Sequence, residues 1–295
     1  MATARLHDGS PLEVAVVGDG PAVLLPVRTA IIDGEAAEQM RAWGADPNLG
    51  HTLATSLADA GLRVIAADYE DHLTQHPKPR TLCAATVATD LLAIADAAGA
   101  DRFAYYGYSW LALTGLQLAI RTDRLTALAM GAFPPLDGPY RPMLTVTRAA
   151  HRMALAHRMA LADRMALADR DKRPEAVADV QPGDWDAVEV TRTPDQTQQY
   201  VTLYESLQNF DERAALDQLS VPRLAFAGAN DTIDYGPQWD SARVAVADAL
   251  SGNRDELTAR GWTVELIADT DHMSAMQADN VLPILTPWLR ANATS

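Results

Sequence analysis

Between residues 12 and 131 the chain switches repeatedly between short, continuous apolar runs and longer stretches of helical periodicity, and this alternation constrains the fold more than any other feature. Continuous apolar runs suit strands buried on both faces. Strands that alternate with helices build a mostly parallel sheet covered by helices on both sides. Residues 12–17 and 23–27 read as strands around a Gly18-Asp19-Gly20-Pro21 turn, and 50–60 reads as a helix ending at Gly61. Residues 63–67 form the next strand, with Asp68-Tyr69-Glu70-Asp71-His72 leading out of it as a loop. A long helix follows over 81–98, with Cys83 inside it as a small buried residue. Strand 102–106, helix 110–121 and strand 125–131 complete the series.

The rhythm breaks at Phe133-Pro134-Pro135, and from 136 to 210 no convincing strand appears. It resumes with strands over 223–228 and 263–267 and helices over 240–250 and 280–290. The chain therefore reads as one α/β domain, built from 1–135 and 211–295, interrupted by a helical insertion over 136–210. Such an insertion is expected over the carboxyl ends of the strands, where open α/β sheets bind ligands. It contains a tandem hexapeptide, Ala150-His-Arg-Met-Ala-Leu followed by copies from Ala156 and Ala162. Helix propensity is high throughout. A six-residue step turns a helix by about 600°, so Met153, Met159 and Met165 fan around the axis and no single apolar face is specified. A long, partly exposed helix is expected, free or packed against a second subunit in a homo-oligomer. His151 and His157 do not share a face, which excludes a metal site there.

Charge removes whole classes of partner. The net charge of −15 argues against nucleic acid and against anionic membranes, because both need a basic surface. Only Lys78 and Lys172 are lysines, so arginine carries nearly all the positive charge. A single cysteine excludes an intrachain disulfide. No apolar run approaches the ~20 residues of a membrane span, and the first ten residues lack the apolar core of a signal peptide. The expectation is a soluble, cytoplasmic protein. No phosphate-cradling loop, metal-ligand cluster or nucleotide fingerprint appears, so no cofactor and no metal are expected.

Chemistry enters at Gly107-Tyr108-Ser109-Trp110-Leu111, where a strand meets a helix. A serine on such a turn is held clear of the backbone, and the helix N-terminus behind it supplies amide donors for a developing oxyanion. The alternative is that Ser109 simply caps the helix. Two later segments favour catalysis. Asp231 follows strand 223–228, with Asp234 as its competitor, and His272 follows strand 263–267. All three therefore emerge at the same sheet edge, and a nucleophilic serine needs just such a base and orienting acid. Asp271, adjacent to the histidine, points elsewhere in this reading.

From Val23 to Arg290 the chain resembles a lid-bearing protein of the α/β-hydrolase fold, which carries serine, acid and histidine in this order. The resemblance implies that Ser109 attacks an acyl carbon, His272 moves the proton and Asp231 orients the imidazole. It also implies oxyanion donors from the backbone of Trp110 and of the loop after strand 23–27. There Pro26 and Val27 stand where the family carries His-Gly. Proline has no amide hydrogen, so the loop donor falls to Val27 or Arg28. Arg28 either meets solvent or a loop carboxylate, or turns into the cleft to hold substrate. Leu111 replaces the usual second glycine and should crowd the elbow or alter its packing. Tyr108 and Trp110 serve as core or as pocket wall for a small-molecule acyl substrate. Tyr140, Trp185, Tyr200 and Tyr204 of the insertion have the same two readings. His72 is a weaker candidate for a back-up base. The expected activity is hydrolysis of an ester, lactone, thioester or amide through an acyl-enzyme. An acyltransferase, a cyclase or a ligand-binding protein with a vestigial site are the alternatives.

Overall fold

Eight strands of the computed structural model form one sheet in the order β1-β2-β4-β3-β5-β6-β7-β10. They are β1 (Ala2–Arg5), β2 (Pro11–Val17), β3 (Ala22–Leu25), β4 (Arg63–Ala66), β5 (Phe103–Tyr108), β6 (Leu125–Gly131), β7 (Arg223–Gly228) and β10 (Trp262–Ile267). The structure describes residues 2–42, 44–167 and 191–293, and side chains only outside 160–167. From β4 to β10 every pairing is parallel, while β1 and β2 add an antiparallel edge. A separate hairpin pairs β8 (Thr232–Asp234) with β9 (Arg243–Ala245).

Helices cover both faces, as continuous apolar strands require. They are α1 (Gly34–Ala42), α2 (Leu49–Asp59), α3 (Tyr69–Gln75), α4 (Ala84–Ala97), α5 (Trp110–Ala119) and α6 (Tyr140–Leu167), then α7 (Pro194–Glu205), α8 (Glu212–Leu216), α9 (Val246–Gly252), α10 (Arg254–Ala259), α11 (His272–Ala275) and α12 (Ala278–Asn292). β3 shows how the pleat divides the core. Val23 and Leu25 pack with Leu53, Leu57, Val281 and Leu285 of α2 and α12, whereas Leu24 faces the opposite cluster with Leu91 and Leu113 of α4 and α5. Between β6 and β7 the regular elements among the described residues are the helices α6, α7 and α8, and α6 packs along α7. No helix among the described residues is long and apolar enough to cross a membrane.

Several sequence expectations are corrected. The segment after β4 is not a loop: Asp68 accepts from the Asp71 amide and caps α3. Cys83 is not inside a helix but at the N-cap of α4, half-buried, and Thr81 and Leu82 precede the helix. The strand expected over 23–27 stops at Leu25, before Pro26. The helix expected over 240–250 begins at Val246, because Asp240 and Ser241 adopt positive φ and 243–245 is drawn into the β8–β9 hairpin. Strand β1 and helices α1 and α10 carried too few periodic residues to register.

The β1–β2 turn is fastened to the sheet's helical layer by a buried charge. Lys78, with a side chain 1% exposed, donates to Asp8 and to Ser10 Oγ. Burial pushes the Asp8 carboxyl up, but the bonds from Lys78 and Ser10 outweigh it and hold the group well below its ordinary 3.8. That depressed value makes Asp8 stabilising above pH ~4, and the contribution is lost as pH falls toward the folded-state value. Asp8→Asn is expected to cost about 2 kcal/mol at pH 7, since it strands a buried ammonium but removes a partner that is one-third exposed. Urea denaturation of the two proteins at pH 7 and pH 3 checks this, and the difference should shrink at the lower pH.

Candidate active site

Ser109 sits between β5 and α5 with φ 55° and ψ −130°, a conformation in which a non-glycine backbone is strained. Its amide donates to the Gly131 carbonyl at 2.8 Å, which ties the turn to β6. Gly107 makes the turn possible. A Cβ there would lie 2.4 Å from the Leu111 carbonyl oxygen, so strand and helix could not meet at this distance with any larger residue. Leu111 does not crowd the elbow. Its side chain packs into the main core, while its carbonyl accepts from the Tyr105 and Thr114 hydroxyls, each at 2.8 Å.

Asp231 is fully buried in the turn after β7, and both its carboxylate oxygens lie 3.0 Å from His272 Nδ1. The turn is built against the loop that carries the histidine: the Asn230 amide donates to the Thr270 carbonyl at 2.8 Å. His272 opens the short helix α11, which Asp271 caps by accepting from the amides of Met273 and Ser274. Hydrogen bonds from Ser274 hold the Asp271 carboxyl below its usual range. Asp271 is thus committed to capping, and Asp234 to a two-pronged ion pair with Arg243. The Tyr108 hydroxyl donates to the His272 carbonyl at 2.8 Å, and its ring packs 5.4 Å from the imidazole. Burial pushes that hydroxyl far above its ordinary pKa, so it stays protonated and donating.

Ser109 lies where two hollows meet. One, about 420 Å³, is an apolar chamber walled by Met143, Val146 and Ala150 of α6, Tyr200 and Tyr204 of α7, and Trp239. The other, about 550 Å³, is a cleft that also contains His272, Tyr108, Arg28 and Asp68. Trp110 and Glu70 border both, and the indole Nε1 donates to Glu70 Oε1 at 3.3 Å between them. Tyr140 instead packs against Phe133 and Phe210 in the core, and Trp185 lies outside the described residues. Sequence reading missed Glu70 and Trp239. Glu70 was hidden in a segment taken for a loop, though its place after a strand's carboxyl end was a usable signal.

The oxyanion loop differs in part from expectation. The Val27 amide donates to the Leu25 carbonyl at 2.9 Å and is spent in that tight turn. Arg28 remains as the loop's candidate donor, with Trp110 at the first position of α5, where helix N–H groups have no intrahelical acceptor. A Cβ on Gly50 would lie 2.1 Å from the Arg28 carbonyl oxygen, so this glycine lets α2 brace the loop. The Arg28 guanidinium faces Asp68, Nε to Oδ2 3.8 Å, which is the loop-carboxylate alternative of its two readings. His72 is turned away from Ser109: it is buried, with Nε2 2.9 Å from Ser10 Oγ, and burial lowers its pKa.

No family model and no curated protein matches the sequence. Solved structures do match over the whole chain. An enol-lactonase from Burkholderia xenovorans is similar at TM-score 0.57 and 18% identity, over 98% of this chain and 99% of that one. An esterase from Exiguobacterium antarcticum is similar at TM-score 0.57 and 14% identity, over 100% and 99%. An epoxide hydrolase from Vigna radiata is similar at TM-score 0.57 and 15% identity, over 98% and 97%. The protein has the α/β-hydrolase fold. In that fold Ser109 stands on the turn between β5 and α5, and the two hollows flank it.

Proposed function

We propose that the protein is a serine hydrolase that cleaves an ester, lactone, thioester or amide of a small molecule through an acyl-enzyme. The observation that carries this reading is the buried Asp231 carboxylate held on His272 Nδ1, in the same cleft as a serine on a strained strand-to-helix turn. Asp231 fixes the imidazole with Nδ1 protonated, leaving Nε2 to take the Ser109 proton as Oγ attacks the carbonyl carbon. The developing oxyanion is received by the Trp110 amide and the Arg28 amide. His272 then returns the proton to the leaving group, and water repeats the sequence to free the acid. Residues 136–210 act as a lid, with α6 and α7 enclosing the acyl part of the substrate. Tyr108, Trp110 and Arg28 border the bound molecule. The mechanism needs no cofactor and no metal. That an esterase and an enol-lactonase are among the similar structures agrees with acyl chemistry.

Acyl transfer or cyclisation is the second reading, favoured by the spent Val27 amide and by Pro26, which leave the loop with a single donor. A fluorophosphonate probe is expected to label the protein at Ser109, and Ser109→Ala to abolish labelling, as read by peptide mass spectrometry. A folded protein that takes up no label overturns the nucleophile assignment. Labelling without hydrolysis, but with transfer to an added alcohol or amine, moves the conclusion to the second reading.

A further inference from the structure

The two hollows that meet at Ser109 differ in charge, and on the proposed mechanism each has a fixed part of the substrate. His272 must hand its proton to the leaving group, so the leaving group occupies the hollow that contains His272. The acyl chain then lies in the apolar chamber under α6 and α7. The leaving-group cleft is bordered by four carboxylates, Asp46, Asp68, Glu70 and Asp71, against one guanidinium, Arg28. That guanidinium already faces Asp68. Burial raises the Asp68 carboxyl above its usual range, a cost that Arg28 at 3.8 Å offsets only in part and that a further cation would relieve.

The rest of the wall suits a soft cation. Met40, Met273 and Met276 supply polarisable apolar surface. Trp110 lines this cleft as well, with Nε1 donating to Glu70, and indole is the side chain that attracts ammonium groups best. The chain's net charge of −15 draws cations toward the molecule as a whole. We propose that the His272-side cleft selects a cationic leaving group, an alcohol or amine bearing an ammonium, joined to an apolar acyl chain. This rests on the serine-hydrolase reading for which side is which. The preference for a cation in the cleft stands on the carboxylates and can be read without turnover.

The experiment compares three butanoate esters on the full chain: the choline ester, its uncharged 3,3-dimethylbutyl isostere and the carboxymethyl ester. The expected order of kcat/KM is choline, then dimethylbutyl, then carboxymethyl, with about tenfold between the first two at low ionic strength and less at 0.5 M salt, where the Debye length is a few ångströms. The difference should lie in KM. In Asp46→Asn/Asp71→Asn the ratio between the first two should fall toward one. A dimethylbutyl ester that equals or outruns the choline ester overturns the proposal while leaving the hydrolase reading intact. If none of the esters is turned over, calorimetric titration with choline and with 3,3-dimethylbutanol decides. Tighter binding of choline that weakens in the double variant upholds the charge selection even as the hydrolase reading fails, and equal or weaker binding of choline overturns it.

Discussion

Ser109→Gly is expected to lower turnover by about a million-fold and at the same time to make the protein more stable. On the proposed mechanism the first effect follows from loss of the attacking hydroxyl, since removing the nucleophile of a triad costs on the order of 10⁶ in kcat. The second follows from φ 55° and ψ −130° at this position, which a side chain tolerates poorly and glycine adopts freely. Relief of that strain, less glycine's larger entropy in the unfolded chain, leaves a gain of about 1 kcal/mol. In a chain of this size that corresponds to roughly 2 °C in Tm. Calorimetry of wild type, Ser109→Ala and Ser109→Gly separates the two effects: both variants should be inactive, and only the glycine variant should melt higher. An alanine variant that gained as much would place the origin of the gain in the hydroxyl, not in the backbone.

Asp231→Asn is expected to reduce kcat by about 10⁴-fold with little change in KM. The carboxylate is fully buried, and both oxygens accept from a single imidazole nitrogen. An amide in its place offers an N–H toward Nδ1 and turns the ring to the tautomer that carries its proton on Nε2. That ring cannot accept from serine. Because size is conserved in a site without room to collapse, the variant should fold, and its circular dichroism should match the wild type. Steady-state kinetics on any ester that the wild type hydrolyses supply the test. A loss below tenfold would make Asp231 a structural acid and reopen the choice of orienting group. Asp234→Asn serves as the control, since that side chain is engaged with Arg243 at the surface.

The sheet was legible because its strands are buried on both faces. Runs such as Leu125-Thr-Ala-Leu-Ala-Met-Gly131 carry their signal in every residue, and all seven of these are buried. Ser109, Asp231 and His272 were legible for a related reason. Ser109 and Asp231 follow the buried runs of β5 and β7, and His272 follows the half-exposed β10, so each strand's end fixes the sheet edge at which the side chain emerges. What escaped the sequence depends on partners far along the chain. Arg243–Ala245 is a strand only because Thr232–Asp234 lies beside it. β1 has four residues, of which Ala4 alone is fully buried. Asp68 gave a cap signal that was outweighed by the polar composition of the five residues around it. The two hollows were not legible at all. Their walls join residues from β3's loop, α3, α6, α7 and α11, and nothing in a linear pattern states that Glu70 and Trp110 will bridge the gap between them.

Among the described side chains, the helix that carries the tandem hexapeptide meets the body of the molecule through its N-terminal part. Ala150 and Met153 pack in the cluster around Trp239 and Ala154 is buried, whereas 156–159 are exposed. The residues that α6 is seen to give the chamber wall, from Met143 to Ala150, precede the second copy. Gain or loss of later copies by slippage in the gene would therefore change the reach of α6 and leave that stretch of the wall in place.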